Sequence, residues 1–142
     1  MRRTGAILKG TIFILLTAIA AVAIGAGSLS AFTETDVEKV KTTGSCAGCN
    51  LSDANLAGEY LANASLSGAD LGGANLRGAN LSGADLTGAR LVDAFLTNAR
   101  LVGANLTDCA LSGAYIDAAN FSQAVWTDGK TCGAHSRGRC AR

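Results

Sequence analysis

The chain has 142 residues, with no Pro, 18 Gly and only 5% aromatic residues. This length predicts one domain, and the composition excludes a core built from many different large side chains, so stability must come from stacking one small layer repeatedly. The formal net charge of +1 indicates little as a total, but basic residues are concentrated at the two ends of the chain.

Residues 1–31 have the pattern of an export segment. Their basic start precedes an almost unbroken apolar run, and small residues follow up to Ala31. This order is typical of a secretion signal, and cleavage after Ala31 fits it best. The alternative is an uncleaved membrane anchor through residues 11–31, because the apolar run approaches the ~20 residues that a spanning helix requires. In both cases the basic flank predicts that residues 32–142 face the outside, as a periplasmic, secreted or tethered domain.

Residues 33–45 form a short polar stretch, and residues 32–45 are the predicted helical cap. A threonine N-cap, early acids and late lysines suit a helix of two turns, and Gly44 would end it. So short a helix needs a surface to lie on. The N-terminal end of the next segment offers one, and Glu59, which takes an inward position there, is expected to pair with the cap or to reach solvent.

A large apolar residue then returns every five positions, with a small residue, nearly always Ala, two places before it. A period of five matches neither the 3.6 of a helix nor the 2 of a strand, so the chain must turn a corner once per repeat. Such a repeat determines the architecture. The large residues are the predicted core: Leu51, Leu56, Leu61, Leu66, Leu71, Leu76, Leu81, Leu86, Leu91, Leu96, Leu101, Leu106, Leu111, Ile116, Phe121 and Trp126.

The repeat resembles that of the pentapeptide repeat proteins, Ala-(Asp/Asn)-Leu-x-x, and the stretch Ala69-Asp70-Leu71 matches it fully. The resemblance covers residues 46–128. It implies an all-β fold, a right-handed quadrilateral β-helix of about four coils, in which positions twenty apart stack. Bulky residues in the last coil are expected to seal the core below the tail. In family members such ends also form a dimer contact, so the expected state is a monomer or an end-to-end dimer.

Two pairs of outward residues should stack at this spacing of twenty. Asp70 lies below Arg90, and an exposed ion pair of this kind contributes at most ~1 kcal/mol. Phe95 lies below Tyr115, which makes a small aromatic patch and a candidate interaction surface. Ladder packing alone also explains an aromatic pair at these positions, because single exposed aromatic residues are common.

Five cysteines in an exported chain predict two disulfides and one free thiol. Cys132 and Cys140 share the C-terminal tail, residues 129–142, which is too polar and glycine-rich to fold alone, so a disulfide between them should close it. Cys109 takes an inward small position and is expected to be a buried free thiol.

Cys46 and Cys49 form a CxxC pair just before the first coil. A thioredoxin-type role would require an α/β context, so a structural disulfide is favoured, and a redox role remains as an alternative. The CxxC pair and the tail residues do not predict one shared metal site, because they should lie at opposite ends of a rod about 20 Å long, whereas zinc binds all its ligands within ~2–2.3 Å. Cys132, His135 and Cys140 alone would supply three ligands, so a site within the tail remains as an alternative.

The sequence contains no nucleophile with a base, no phosphate loop and no room for a cofactor in so narrow a core. It therefore predicts a non-enzymatic, exported structural or protein-binding module with no cofactor and an unknown protein partner. Membrane contact is expected only through residues 11–31, if they remain uncleaved. By resemblance, a DNA-mimic protein that binds topoisomerases is the first alternative; the export signal, the short rod and the weak negative charge oppose it. A thiol-redox protein using Cys46 and Cys49 is the second.

Overall fold

The computed structural model describes residues 34–141, so the predicted export segment, residues 1–31, lies outside the described part of the chain. None of the helical structure within 34–141 is long and apolar enough to cross a bilayer. The described chain consists of a helix, a stack of coils and a C-terminal tail that folds back on the last coil.

Helix α1, Glu34–Thr43, covers the N-terminal end of the stack. Acidic residues in its first turn and Lys41 in its last turn suit the helix dipole. Gly44, whose φ is 65°, ends the helix, and its N–H donates to the carbonyl of Val40 at 3.0 Å. Val40 is 1% exposed and packs against the core. The Nζ of Lys41 lies 2.9 Å from the carboxylate of Glu59, so the predicted pairing of Glu59 with the cap is confirmed.

Parallel bridges between residues twenty apart join the coils, beginning with Ser45 and Ser65. Each coil therefore contains four pentapeptides. Leu71 shows the repeating bond, because its N–H donates to the carbonyl of Arg90 in the next coil at 2.8 Å. Each side of a coil holds a single bridged residue, so within residues 34–141 there is no longer strand. The repetition of the same bonds pairs the backbone groups in the middle of the stack.

A residue with left-handed backbone conformation forms each corner. From Leu51 to Phe121, the second residue after each large one has a positive φ, for example 64° at Gly68 and 57° at Asp93. Glycine, asparagine and aspartate tolerate this region best, which explains why they recur there. A turn bond closes the corner, as when the N–H of Ala74 donates to the carbonyl of Leu71 at 3.1 Å. The large and the small side chain of each repeat therefore both point inward.

The interior of the stack is closed and apolar. The large residues from Leu51 to Leu106, together with Phe121, are at most 2% exposed, and the inward Ala residues, which stand two places before a large residue, are equally buried from Ala54 to Ala104. Stacked leucines of this kind contribute about 1.5–3 kcal/mol each. The core therefore runs as a continuous apolar column along the coils.

The tail covers only two of the four sides of the last coil. It runs antiparallel to that coil and pairs Thr131 with Val125 and Arg137 with Asn120. A disulfide between Cys132 and Cys140, with 5.1 Å between the Cα atoms, closes the tail on itself.

The seal that the sequence predicts at this end is incomplete. Leu111, Ile116 and Trp126 are only partly buried, unlike the equivalent residues of the earlier coils. Burial of a large residue requires a layer on both sides of it, and within residues 34–141 only the tail lies above the last coil. These three predicted core residues still pack against the core, but they are more exposed than the equivalent residues of the earlier coils.

Candidate functional site

Leucine and alanine side chains fill the inside of each coil, so any binding surface of the stack must lie on its outer walls or at its ends. The outward residues just before and just after each large residue form four walls. These outward residues change from one coil to the next, whereas the inward ones repeat. The sequence differences between one coil and the next therefore lie on the surface of the stack.

The aromatic wall, as we call the side that carries Arg77, Phe95 and Tyr115, holds a stacked column of planar groups. The rings of Phe95 and Tyr115 are nearly parallel, at an interplanar angle of 7°, with 4.9 Å between their centroids. The guanidinium carbon of Arg77 lies 4.3 Å from the centroid of Phe95. Such ring pairs contribute about 0.5–1.5 kcal/mol, and exposed cation–π contacts about 0.5–1 kcal/mol. Tyr115 is 52% exposed, so the column presents a rigid aromatic surface to solvent.

Sequence reasoning identified Phe95 and Tyr115 but missed Arg77. The rule that residues twenty apart stack finds only partners in the same column. Arg77 stands in the neighbouring column, eighteen residues before Phe95, and reaches it because its side chain is long. A search that also compared residues eighteen apart would have found this contact.

A second wall carries the predicted ion pair. Nη1 of Arg90 lies 3.0 Å from Oδ1 and 3.2 Å from Oδ2 of Asp70. Gly72 makes room for this geometry, because a Cβ atom there would lie 2.7 Å from Nη1 of Arg90. A groove of about 370 Å³ runs beside the pair between Asp53 and Asp93. Both partners are well exposed, so solvent screening limits the pair to about 1 kcal/mol or less.

A third wall is rich in hydroxyl groups, which bond to their own neighbours. The hydroxyl of Thr87 donates to Asp85 at 2.6 Å, and that of Thr107 donates to Asn105 at 2.7 Å. Hydrogen bonds from the side chain and the backbone of Thr87 hold the pKa of Asp85 below its ordinary value. Because these hydroxyl protons are already engaged, they stabilise the wall and are not free to donate to a ligand.

Cys46 and Cys49 are joined by a disulfide, with 5.2 Å between their Cα atoms. They hold the two inward places of one repeat, twenty residues before Leu66 and Ala69. The N–H of Cys49 donates to the carbonyl of Cys46 at 3.2 Å, which is the turn bond found in the later repeats. Cys46 is fully buried and Cys49 is 7% exposed. Exchange with another thiol requires access to a sulfur atom, so this burial favours a structural role.

Asp36 of α1 lies beside this disulfide. One carboxylate oxygen of Asp36 and the two sulfurs lie within 4.8 Å of one another, which is the spacing of metal ligands. Both sulfurs belong to the disulfide, however, and a metal binds the thiolate form. The Nζ of Lys39 also lies 4.0 Å from the sulfur of Cys49, and its charge opposes a cation there. The contacts of Asp36 and Lys39 with this disulfide therefore hold α1 against the first coil.

Cys109 is the free cysteine of the described residues, and it is buried. Its Sγ donates to the carbonyl of Leu86 at 3.1 Å. Burial raises the pKa of the Cys109 thiol to about 12, because an apolar surrounding disfavours the thiolate. A thiol in this state is a poor nucleophile, so Cys109 is a packing residue.

Comparison with family models matches pentapeptide repeats, in eight copies, over residues 45–83 and 79–116. The solved structure of HetL, a pentapeptide repeat protein involved in heterocyst differentiation regulation from the cyanobacterium Nostoc sp. strain PCC 7120, is 38% identical, with a TM-score of 0.59. That match covers 61% of this chain and 40% of HetL. The likeness implies a right-handed β-helix, and this chain spans less than half of the length of HetL.

Two further solved structures are similar in sequence. The pentapeptide repeat protein alr5209 from Nostoc PCC 7120 is 40% identical over 62% of this chain and 78% of its own, with a TM-score of 0.40. AT2G44920, a pentapeptide repeat protein from the Arabidopsis thaliana thylakoid lumen, is 30% identical over 59% of this chain and 66% of its own, with a TM-score of 0.28. Comparison with curated protein sequences found no match.

Proposed function

The chain belongs to the pentapeptide repeat family, and from that premise we propose that it is a non-enzymatic, exported module that binds another protein through its outer surface. The closed interior carries this proposal. Fully buried leucine and alanine side chains fill the coils, so there is no cavity along their axis in the described part of the chain. Chemistry on a small substrate normally uses a concave, mostly apolar pocket. A narrow rod with rigid, varied walls suits protein recognition instead.

The proposed location outside the cytoplasm rests on two features. Residues 1–31 have the composition of an export segment, and the described chain holds two disulfides, at Cys46–Cys49 and Cys132–Cys140. Disulfides of this structural kind persist in oxidising compartments and are rare in the cytosol. These two features support a location in the periplasm or outside the cell, either free or tethered through residues 11–31.

The aromatic wall is the part of the surface that best supports protein binding. Aromatic residues and arginine are enriched where proteins bind tightly, because they bury a large area with little loss of side-chain freedom. Here Arg77, Phe95 and Tyr115 are already ordered by stacking on one another. Binding of a partner to this wall therefore costs little side-chain conformational entropy.

Photo-crosslinking in the native cell envelope tests the proposal. A photoreactive residue replaces Thr97 on the aromatic wall or, as a matched control, Val102, which lies in the same coil on the next wall. We expect one specific adduct from Thr97, which is lost when Phe95→Ala removes the middle of the stack. The proposal is wrong if neither position gives a specific adduct, or if both give the same one independently of Phe95.

The topoisomerase alternative requires a surface that imitates the closely spaced phosphates of DNA. On this stack Arg77, Arg90 and Arg100 interrupt the acidic residues, and Arg90 neutralises Asp70 directly. A gyrase supercoiling assay with the purified full chain distinguishes the DNA-mimic function from the proposed one. We expect no inhibition, and inhibition at low micromolar concentration would favour the DNA-mimic function.

A further inference from the structure

The C-terminal end of the stack has an open edge, by which we mean residues 110–118 on the two sides of the last coil that the tail leaves uncovered. Four N–H groups and two carbonyl groups of this end have no hydrogen-bond partner among residues 34–141: the N–H groups of Leu111, Gly113, Ile116 and Ala118 and the carbonyls of Cys109 and Ala114. An exposed row of such groups is a template for another extended chain.

The tail shows how a chain fits this kind of edge. It accepts hydrogen bonds from the N–H groups of Phe121 at 2.7 Å, Gln123 at 3.1 Å and Trp126 at 2.8 Å. It also donates to the carbonyls of Ala119 and Ala124, both at 2.8 Å. Each of these five groups has an open counterpart ten residues earlier in the chain. The two halves of the end therefore offer the same pattern of donors and acceptors, and only one half is occupied.

Ten residues are two sides of the square coil, so the two patterns are related by half a turn about the axis of the stack. A segment placed half a turn away from the tail meets the same groups in the same order. In that placement the residue corresponding to Thr131, which pairs with Val125, lies opposite Tyr115. The residue corresponding to Arg137, which pairs with Asn120, lies opposite Ala110.

The charge of the end favours a basic segment. Residues 101–128 contain three acids and no Lys or Arg, whereas residues 129–141 contain three bases and no acid. The tail is thus a basic strand on an acidic coil. At the border of the uncovered half, Asp117 is exposed and forms no ion pair within residues 34–141, although Gly138 of the tail lies beside it. The same complementarity is available to a basic strand from another molecule.

Apolar groups on the open edge also require cover. Leu111, Ala114 and Ile116 are partly exposed there, while the equivalent residues of the inner coils are fully buried. Tyr115 ends the stack on the aromatic wall, and no ring from residues 34–141 lies on the face of its ring that points away from Phe95. A large side chain opposite Tyr115 would extend the column of stacked groups by one layer.

We propose that the open edge binds an extended, basic segment of a partner protein. The segment pairs antiparallel with residues 110–118, as the tail pairs with its own half, and stacks an aromatic side chain on Tyr115. This inference rests on the protein-binding role proposed above and assigns that role to one end of the rod. A second copy of the chain fits less well, because its tail contains neither an aromatic residue nor Leu, Ile or Val to cover the apolar groups.

A peptide built on the tail tests the proposal. The probe is a synthetic peptide with the sequence of residues 129–141, with its Cys132–Cys140 disulfide formed and with Thr131→Tyr to place a ring opposite Tyr115. It is added to the ¹⁵N-labelled full chain, and amide shifts and hydrogen exchange are followed by NMR. We expect saturable shifts and slowed exchange at Leu111, Gly113 and Ile116.

Two variants of the chain and two variants of the peptide accompany the titration. Tyr115→Ala should weaken binding of the peptide about 3- to 10-fold, the worth of one aromatic pair, and Tyr60→Ala should leave it unchanged, because this exposed tyrosine lies in the first coil. A peptide that keeps Thr131 should bind more weakly by a similar factor. A peptide with glutamate at all three basic positions should not bind.

Other results would overturn the inference. Shifts at Phe121 and Trp126 would mean that the peptide replaces the tail, and absence of saturable binding would mean that the edge is not a docking site. If sedimentation shows the free chain to be a dimer whose edge amides are already protected from exchange, then the occupant is a second copy. If crosslinking at Thr97 captures a partner while the peptide does not bind, the protein-binding role stands and only its assignment to the open edge fails.

Discussion

Shortening a leucine within one column should cost very different amounts of stability in the middle and at the end of the stack. Leu91 is fully buried, with Leu71 below it and Leu111 above it, so Leu91→Ala should leave a closed cavity and cost about 3–4 kcal/mol. Leu111 has a layer on one side only, so Leu111→Ala should cost about half as much, roughly 1.5–2 kcal/mol. Urea unfolding of the full chain, followed by circular dichroism, measures both free energies.

Leu71→Ala is the matched control, because Leu71 lies in the same column with layers on both sides, and it should behave as Leu91→Ala does. Repeat proteins can lose end coils first, so fluorescence of Trp126 should be followed in parallel as a local probe of the last coil. Equal costs for Leu91 and Leu111 would refute the open edge. A cost below about 1 kcal/mol for Leu91→Ala would refute the stacking of residues twenty apart.

Three further predictions concern the cysteines. Leu106→Cys should form a disulfide with Cys109, because these positions repeat the spacing of Cys46 and Cys49. The number of free thiols titrated in the denatured chain should then fall from one to none. As a control, Leu101→Cys has no cysteine three residues later and should give two free thiols. Cys132→Ser should lower the free energy of unfolding by about 2.5 kcal/mol, because the closed loop no longer restricts the entropy of the unfolded chain. The control variant Cys109→Ser should leave the tail in place. An unchanged urea midpoint for Cys132→Ser would contradict a structural role of the bond to Cys140. Burial raises the pKa of Cys109 from 9.0 to about 12. The stability that the neutral thiol provides is therefore fully present below pH 9 and is lost as the pH rises from 9 towards 12. Urea unfolding across this pH range should show the loss in the unchanged chain and not in Cys109→Ala.

The contacts between successive coils could be predicted from the sequence, because a period of five residues determines where the chain turns. Once four pentapeptides make a coil, the spacing of twenty determines which residues touch, and the ring pair of Phe95 and Tyr115 follows from it. The ion pair of Asp70 and Arg90 follows in the same way. These contacts depend only on the repeat, so no knowledge of distant parts of the chain is required.

The ends could not be predicted as well, because the repeat gives no information there. Burial of Leu111 and Ile116 depends on what lies above them, and the path of the tail depends on a sequence without a period. Residues 129–141 are polar, and nothing in their spacing indicates an antiparallel return along two sides of the coil. The candidate binding edge arises from that path, so sequence reasoning pointed to the aromatic pair and missed the backbone groups beside it.

The CxxC pair shows how a repeat changes the meaning of a motif. Two cysteines three residues apart suggest redox chemistry when the context is unknown. In this fold the same spacing separates every large inward residue from the small inward residue of the next corner, as Leu66 is separated from Ala69. The corner brings both side chains to the inside of the coil, which is the geometry that a disulfide needs. The spacing of Cys46 and Cys49 is therefore a consequence of the pentapeptide, and their burial beneath α1 explains why the bond stabilises the first coil instead of exchanging with other thiols.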